Sequence, residues 1–184
     1  MTRKVILYPG SFCPPTIGHS DLVERAALHY DKVIWAIGVN PLKNYLFSVE
    51  ERLDMMQHIV DEAKKDGLEN IVIESFEGAA IRYAESTRAG FILRGLRNTS
   101  DLQFELEMAT ANRGMCKNIE TICMFAKPHF ATLSSSLVRD IAFLGEKIDQ
   151  YVHPYVATKL QEKVRQHMER ASIEEGVKGK RSFP

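Results

Sequence analysis

The stretch Lys4-Val5-Ile6-Leu7-Tyr8-Pro9-Gly10-Ser11-Phe12-Cys13-Pro14-Pro15-Thr16-Ile17-Gly18-His19 decides the fold. Lys4 to Tyr8 is an apolar run that reads as a buried strand, and Pro9 to Pro15 breaks it as a loop. From about Gly18 to Leu28 the apolar positions Leu22, Val23, Ala26 and Ala27 share one helical face. Strand, loop and helix in that order begin a βα unit, and the pattern repeats down the chain.

Lys32 to Val39 reads as the second strand, closed by Asn40 and Pro41. Ser48 with Glu51 spells a capping box that opens a helix through Leu53, Met56, Ile59 and Val60 to Gly67. A third strand follows over Asn70 to Ser75, a helix over Gly78 to Thr87, and a short fourth strand over Phe91 to Arg94. Asp101 to Arg113 reads as a helix with an acidic first turn, and Leu102, Phe104, Leu106 and Met108 as its packing side chains. Ile119 to Phe125 is the fifth strand. Ser134, Ser135 and Ser136 stand before Leu137, Val138, Ile141 and Leu144, so one of them is an N-cap, and a last helix covers Pro154 to Met168. The expected architecture is α/β: a Rossmann-like, doubly wound, five-stranded parallel sheet with C-terminal helices, one domain over residues 1–170. Residues 171–184 are polar and aperiodic and read as a disordered tail.

Composition removes several classes of function. The 184 residues are 45% hydrophobic, enough for one sizeable core, and 24 basic residues balance 24 acidic ones. No global field exists to hold nucleic acid or an anionic membrane, so an anion site has to be local. No run approaches the roughly 20 apolar residues of a membrane span, and none resembles a signal peptide, so a cytoplasmic protein is expected. Cys13, Cys116 and Cys123 make no C-x-x-C pair and read as reduced thiols; the residues around Cys13 suggest exposure. The histidines include no H-x-x-x-H or H-E-x-x-H pair, so no protein-held metal site is expected; Mg²⁺ carried in by a nucleotide stays open. His29, His58, His129, His153 and His167 read as surface or packing residues.

Ligands of an open parallel sheet bind beyond the carboxyl ends of its strands, and the unusual polar residues fall there. Ser11, Thr16, Gly18 and His19 follow the first strand, Asn40 and Lys43 the second, Arg94 and Arg97 the fourth, and the three serines the fifth. All suit donation to phosphate oxygens. Thr16 can cap the first helix, and Gly18 lets backbone approach a phosphate. A cationic His19 would be disfavoured at a helix N-terminus, which weakens a purely structural role for it. Arg94, closing an apolar strand, requires an anionic partner. The P-loop, the G-x-G-x-x-G fingerprint and the G-x-S-x-G elbow are all absent.

Several segments together resemble the phosphopantetheine adenylyltransferases, a family of the T/H-x-G-H nucleotidyltransferases. They are Tyr8 to Phe12, Thr16 to His19, Asn40 to Lys43, Leu46 to Arg52, Arg94 to Arg97, Asp101 to Glu105, Asn112-Arg113 and Ser134 to Val138. The resemblance implies transfer of AMP from ATP to 4'-phosphopantetheine, with Mg²⁺ on the nucleotide and a hexameric assembly. It implies that Ser11, Lys43, Ala80 and Arg94 contact phosphopantetheine. It places ATP against Ser11, Phe12, His19, Gly95, Leu96, Arg97, Glu105 and the segment Phe130, Ala131, Thr132, Leu133, Ser134, Ser135, Ser136. An acceptor phosphate is already ionised, so attack on the α-phosphorus calls for alignment and charge-stabilising donors rather than a general base. His19 and Lys43, with Ser11 beside them, are the candidates for that work.

Three features depart from the family pattern. Ser11 stands where a threonine is usual and keeps the hydroxyl, Cys13 replaces a carboxylate, and Leu102 and Phe104 replace Phe and Tyr. Nicotinate or nicotinamide mononucleotide adenylyltransferases share the fold but carry H-x-G-H where this chain has Thr16. A cytidylyltransferase would show R-T-x-G-I-S-T-T, which is missing. A nucleotide-binding sensor without turnover would have little use for both His19 and Lys43.

Overall fold

The computed structural model describes residues 4–179, with side chains described through residue 170. Strands β1 (Val5–Gly10), β2 (Lys32–Val39), β3 (Ile71–Glu77), β4 (Phe91–Leu96) and β5 (Glu120–Phe125) form one sheet in the order β3-β2-β1-β4-β5. Every pairing is parallel. Helices α1 (Ile17–Ala27), α2 (Val49–Lys65), α3 (Ala80–Ser86) and α4 (Thr99–Met115) connect them, and a 3-10 turn (Pro128–Phe130), α5 (Ser135–Phe143) and α6 (Pro154–Gly179) follow β5. This is the doubly wound, Rossmann-like sheet read from the sequence, with most element ends moved by a residue or two.

Alternation along the central strands builds the two faces. Ile6 and Tyr8 of β1 and Val33, Trp35 and Ile37 of β2 pack into one buried cluster with Leu22, Val23 and Ala26 of α1, Met55, Met56 and Ile59 of α2, and Val156, Ala157 and Leu160 of α6. Their neighbours Val5, Leu7, Ile34 and Ala36 turn the other way and meet Ile81 and Ala84 of α3. Both faces are therefore covered, which is what a parallel sheet requires. The capping box at Ser48 forms as expected: Glu51 N–H donates to Ser48 Oγ at 3.2 Å, and Ser48 N–H donates to Glu51 Oε2 at 2.7 Å.

Two readings need correction. Leu102, Phe104, Leu106 and Met108 do not pack the core; they are 48%, 56%, 61% and 41% exposed, and Glu105 is the buried residue of α4. Their spacing of two places successive side chains on opposite sides of a helix, so they never formed one face. The last helix also runs on past Met168, through Gly179, into the segment read as a tail. The rest of that tail, residues 180–184, lies outside the described residues.

Candidate active site

The chain winds outward from β1 to β3 and then returns to place β4 on the other side of β1. β1 and β4 pair only at Ile6–Phe91 and Leu7–Ile92, and beyond those rungs they part. The crevice opened at this reversal of strand order is where open α/β sheets bind ligands. Arg94 spans it: its Nη1 donates to the Pro9 carbonyl at 3.1 Å, a group the short ladder leaves without a strand partner.

A cavity fills the crevice. Its floor is Tyr8, Pro9, Gly10 and the loop residues Ser11 and Phe12; one wall is Thr16, Gly18, His19 and Leu22 of α1. Arg94, Gly95 and Arg97 of β4 and its loop, with Asp101 and Glu105 of α4, make the second wall. Ala126, Phe130, Leu133, Ser134 and Ser135 close the third. Two helix N-termini thus converge on one space, and each presents backbone N–H groups and the positive end of its dipole. Ser134 is the N-cap of α5, its Oγ accepting from Leu137 N–H at 3.1 Å.

His19 is held by its own helix start. Thr16 N–H donates to His19 Nδ1 at 3.0 Å, so Nδ1 is the acceptor and the neutral ring carries its proton on Nε2. Burial first, and the Arg97 charge second, lower its pKa to about 4. The imidazole is therefore a neutral N–H donor at physiological pH, which removes the conflict between a cationic histidine and the helix dipole. Phe12, in a left-handed conformation at φ 45°, sets its ring edge-on to His19 (centroids 5.1 Å), Tyr8 (5.2 Å) and Trp35 (5.5 Å). Gly10 makes room for that ring: a Cβ there would stand 2.6 Å from Phe12 Cζ. Gly10→Ala is expected to cost about 1–3 kcal/mol through overpacking, read as a lowered Tm, because the caged ring has nowhere to move.

The arginines are already engaged. Arg94 gives Nε and Nη2 to the two oxygens of Glu105, both at 2.6 Å, and Arg97 gives Nε and Nη2 to Asp101 at 2.9 and 3.0 Å. The anionic partner that Arg94 requires is thus supplied within the fold. Bond counting still leaves each guanidinium donors to spare, since five N–H groups meet three partners: Arg94 adds Pro9, and Arg97 adds the Leu133 carbonyl at 3.0 Å. The Arg97–Leu133 bond also ties the end of β4 to the approach of α5. The hydrogen-bonded Arg97 guanidinium holds the Asp101 carboxyl below the usual carboxylate range.

Lys43 lies elsewhere. It lines a second cavity with Asn44, Tyr45, Leu46, Cys13, Ser136 and Arg139, and Ser11 and Ser135 line both cavities. Of the residues expected around ATP, Leu96, Ala131 and Thr132 line neither cavity. Leu96 alternates away from Gly95 into the core and is 4% exposed, and Ala131 and Thr132 follow the 3-10 turn on the outside. Ala80 also lines neither; it starts α3 and packs on the second cluster. Cys13 is buried rather than exposed, at 2%, as a member of the larger hydrophobic cluster, and Arg139 donates from α5 to its carbonyl oxygen.

Sequence reading missed Tyr8, Asp101 and Arg139. Tyr8 reads as a strand end and as part of the resemblance, without a site role, although burial in the cavity floor raises its pKa. Asp101 stands four residues after Arg97, a spacing that could have announced the ion pair. The contact of Arg139 had no local signal, since its partner is 126 positions away.

Residues 7–141 match the cytidylyltransferase-like family model. The chain is 40% identical over 166 residues to the phosphopantetheine adenylyltransferase of Aliivibrio fischeri (strain MJ11), covering 90% of this chain and 100% of that one. It is 41% identical over 160 residues to the phosphopantetheine adenylyltransferase of Carboxydothermus hydrogenoformans, covering 87% and 96%. Its fold is similar to that of a solved nicotinic acid mononucleotide adenylyltransferase from Plasmodium falciparum, with TM-score 0.62 over 90% of this chain and 96% of that one, at 15% identity. That last likeness concerns the fold alone. By sequence over nearly its whole described length, this chain belongs to the phosphopantetheine adenylyltransferase family, within the cytidylyltransferase-like nucleotidyltransferases.

Proposed function

We propose that this protein transfers AMP from MgATP to the phosphate of 4'-phosphopantetheine, forming dephospho-coenzyme A and pyrophosphate. The observation that supports this most is the pair of adjoining cavities that share Ser11 and Ser135, one presenting the His19 N–H and the other Lys43. An acceptor phosphate oxygen attacks the α-phosphorus, the bond from that phosphorus to the α,β-bridging oxygen breaks, and pyrophosphate leaves with the electron pair. Negative charge grows on the non-bridging oxygens during this displacement, and preorganised N–H donors are most effective there. His19 Nε2 and the Ser135 and Ser136 backbone amides face that charge, Lys43 and Ser11 meet the reacting phosphates, and the free donors of Arg94 meet the acceptor. Phe12, Gly95, Arg97, Glu105, Phe130 and Leu133 surround the nucleotide.

Mg²⁺ belongs to this proposal as part of the nucleotide substrate, where it neutralises triphosphate charge. The proposal also includes self-association, up to a hexamer. Phe104, Met108 and Met115 fall on one face of α4 and are 56%, 41% and 43% exposed, an apolar surface that a second copy would cover. The three cysteines are free thiols, which suits a reducing compartment, and the proposal assigns the protein to the cytoplasm. No helix among the described residues is long and apolar enough to cross a membrane.

Pyrophosphate release from MgATP, with phosphopantetheine or nicotinate mononucleotide supplied in parallel, tests the proposal. Release with phosphopantetheine alone is expected. Release with nicotinate mononucleotide alone would transfer the activity to the other branch of the fold, and tight ATP binding without release on either acceptor would make the protein a sensor.

A further inference from the structure

Arg52 is among the most deeply buried side chains of the molecule, at 2% exposure, and no motif reading gave it a role. A guanidinium cannot lose its proton and is costly to remove from water, so its burial demands compensating contacts. They are two carbonyl oxygens and an aromatic face. Nε donates to the carbonyl of Ser48, the N-cap of its own helix, at 3.0 Å. Nη1 donates to the carbonyl of Ser11 at 2.7 Å, and the Cζ atom lies 4.4 Å from the centroid of the Tyr45 ring.

Those contacts have a common geography. Ser11 is the loop residue shared by the two cavities, and Tyr45 belongs to the segment that carries Lys43 and lines the second one. Around Lys43 that segment is exposed, with local backbone bonds such as Lys43 N–H to the Asn40 carbonyl at 3.2 Å. Arg52 approaches from α2, whose first turn is fixed by the Ser48–Glu51 capping box, so it is a rigid point against which both loops can be set.

We propose that Arg52 is a positioning residue: its guanidinium holds the Ser11 loop and the Tyr45 segment in one register, and so fixes Lys43 relative to the nucleotide cavity. This rests on the adenylyl-transfer reading above for its effect on turnover, though not for its effect on the loops. A planar fork that bonds a carbonyl through one nitrogen while lying on a ring is something lysine cannot reproduce. An in-line displacement is sensitive to such register, since a misplacement of about 1 Å can cost about 10²-fold in rate.

Arg52→Lys keeps the charge and removes the fork. At saturating MgATP and phosphopantetheine, well below the melting temperature of the variant, it is expected to lower kcat about 10- to 100-fold while the Kd for ATP changes less than about threefold. In a Lys43→Ala background the same substitution is expected to cost less than about threefold more, because residues acting as a unit are not additive. Amide hydrogen exchange is expected to quicken in residues 11–15 and 41–47 and to stay unchanged in β1 and β2. Unaltered kcat in the folded variant, losses that multiply with Lys43→Ala, or unaltered exchange in both loops would overturn the proposal. If the wild type transfers no AMP to phosphopantetheine, the functional reading fails by itself, and the exchange measurement still decides the role of Arg52. Should Arg52→Lys not fold, Tyr45→Leu removes the stacking contact alone and is expected to loosen residues 41–47 and lower kcat; an unchanged kcat and unchanged exchange there would equally overturn it.

Discussion

His19→Ala is expected to lower kcat by about 10²- to 10³-fold, the usual effect of deleting one preorganised donor at a developing oxyanion. The fold should survive, because the ring sits on the cavity wall and α1 retains Thr16 as its N-cap. Steady-state kinetics beside a thermal melt separates the two effects, and a loss below about tenfold would remove the ring from the chemistry. The pH dependence adds a sharper condition. His19 is lowered from its ordinary 6.5 to about 4, so it stays neutral throughout the working range, and no histidine inflection should appear in kcat between pH 5.5 and 8. Any acid limb there belongs to the acceptor phosphate, whose second ionisation lies near pH 6 by analogy with phosphorylated side chains, and it should persist in His19→Asn. For stability the sign is fixed likewise. A depressed folded-state pKa contributes fully above the unfolded value and is lost as pH falls through the folded one, so acidification from 6.5 towards 4 should destabilise the wild type more than His19→Asn.

Lys43→Ala is expected to reduce kcat/KM by about 10²-fold or more, with no more than a marginal change in Tm. The side chain is exposed at the mouth of the second cavity, so the fold gains little from it. In the proposed reaction its contribution is a full positive charge near the reacting phosphates, in contrast to the neutral donor His19. Part of that contribution acts across solvent, so the wild-type rate should fall with added salt more steeply than the Lys43→Ala rate. Equal salt dependence in the two proteins, or a loss confined to Tm, would place Lys43 outside the reaction.

Much of this molecule was readable before its structure. The alternation of short apolar strands with amphipathic helices carried the sheet and both of its faces, because period-two and period-3.6 patterns are local properties. Ser48 and the run Ser134 to Ser136 announced their caps for the same reason. The polar residues after β1, β4 and β5 meet in one cavity because strand ends at a switch point must converge. What stayed hidden depends on partners distant in sequence. Arg94 was known to need an anion, but nothing local showed that Glu105 would meet it with both oxygens. Cys13 is read as exposed but joins the larger hydrophobic cluster, and His19 and Lys43 line different cavities that share Ser11. The α4 residues were misread because apolar content was taken for an apolar face. Their spacing contained the contrary signal.

In the proposed reaction one triphosphate lies across Ser11, with His19 on one side and Lys43 on the other. A crystal structure of the protein with Mg²⁺ and α,β-methylene-ATP, which cannot release pyrophosphate by the normal cleavage, addresses it directly. The expected result is an α-phosphate oxygen about 2.6–3.2 Å from His19 Nε2, with the remaining phosphates passing Ser11 and Ser135 towards Lys43. A nucleotide whose phosphates leave the cavity along α4, touching neither His19 nor the second cavity, would contradict the account.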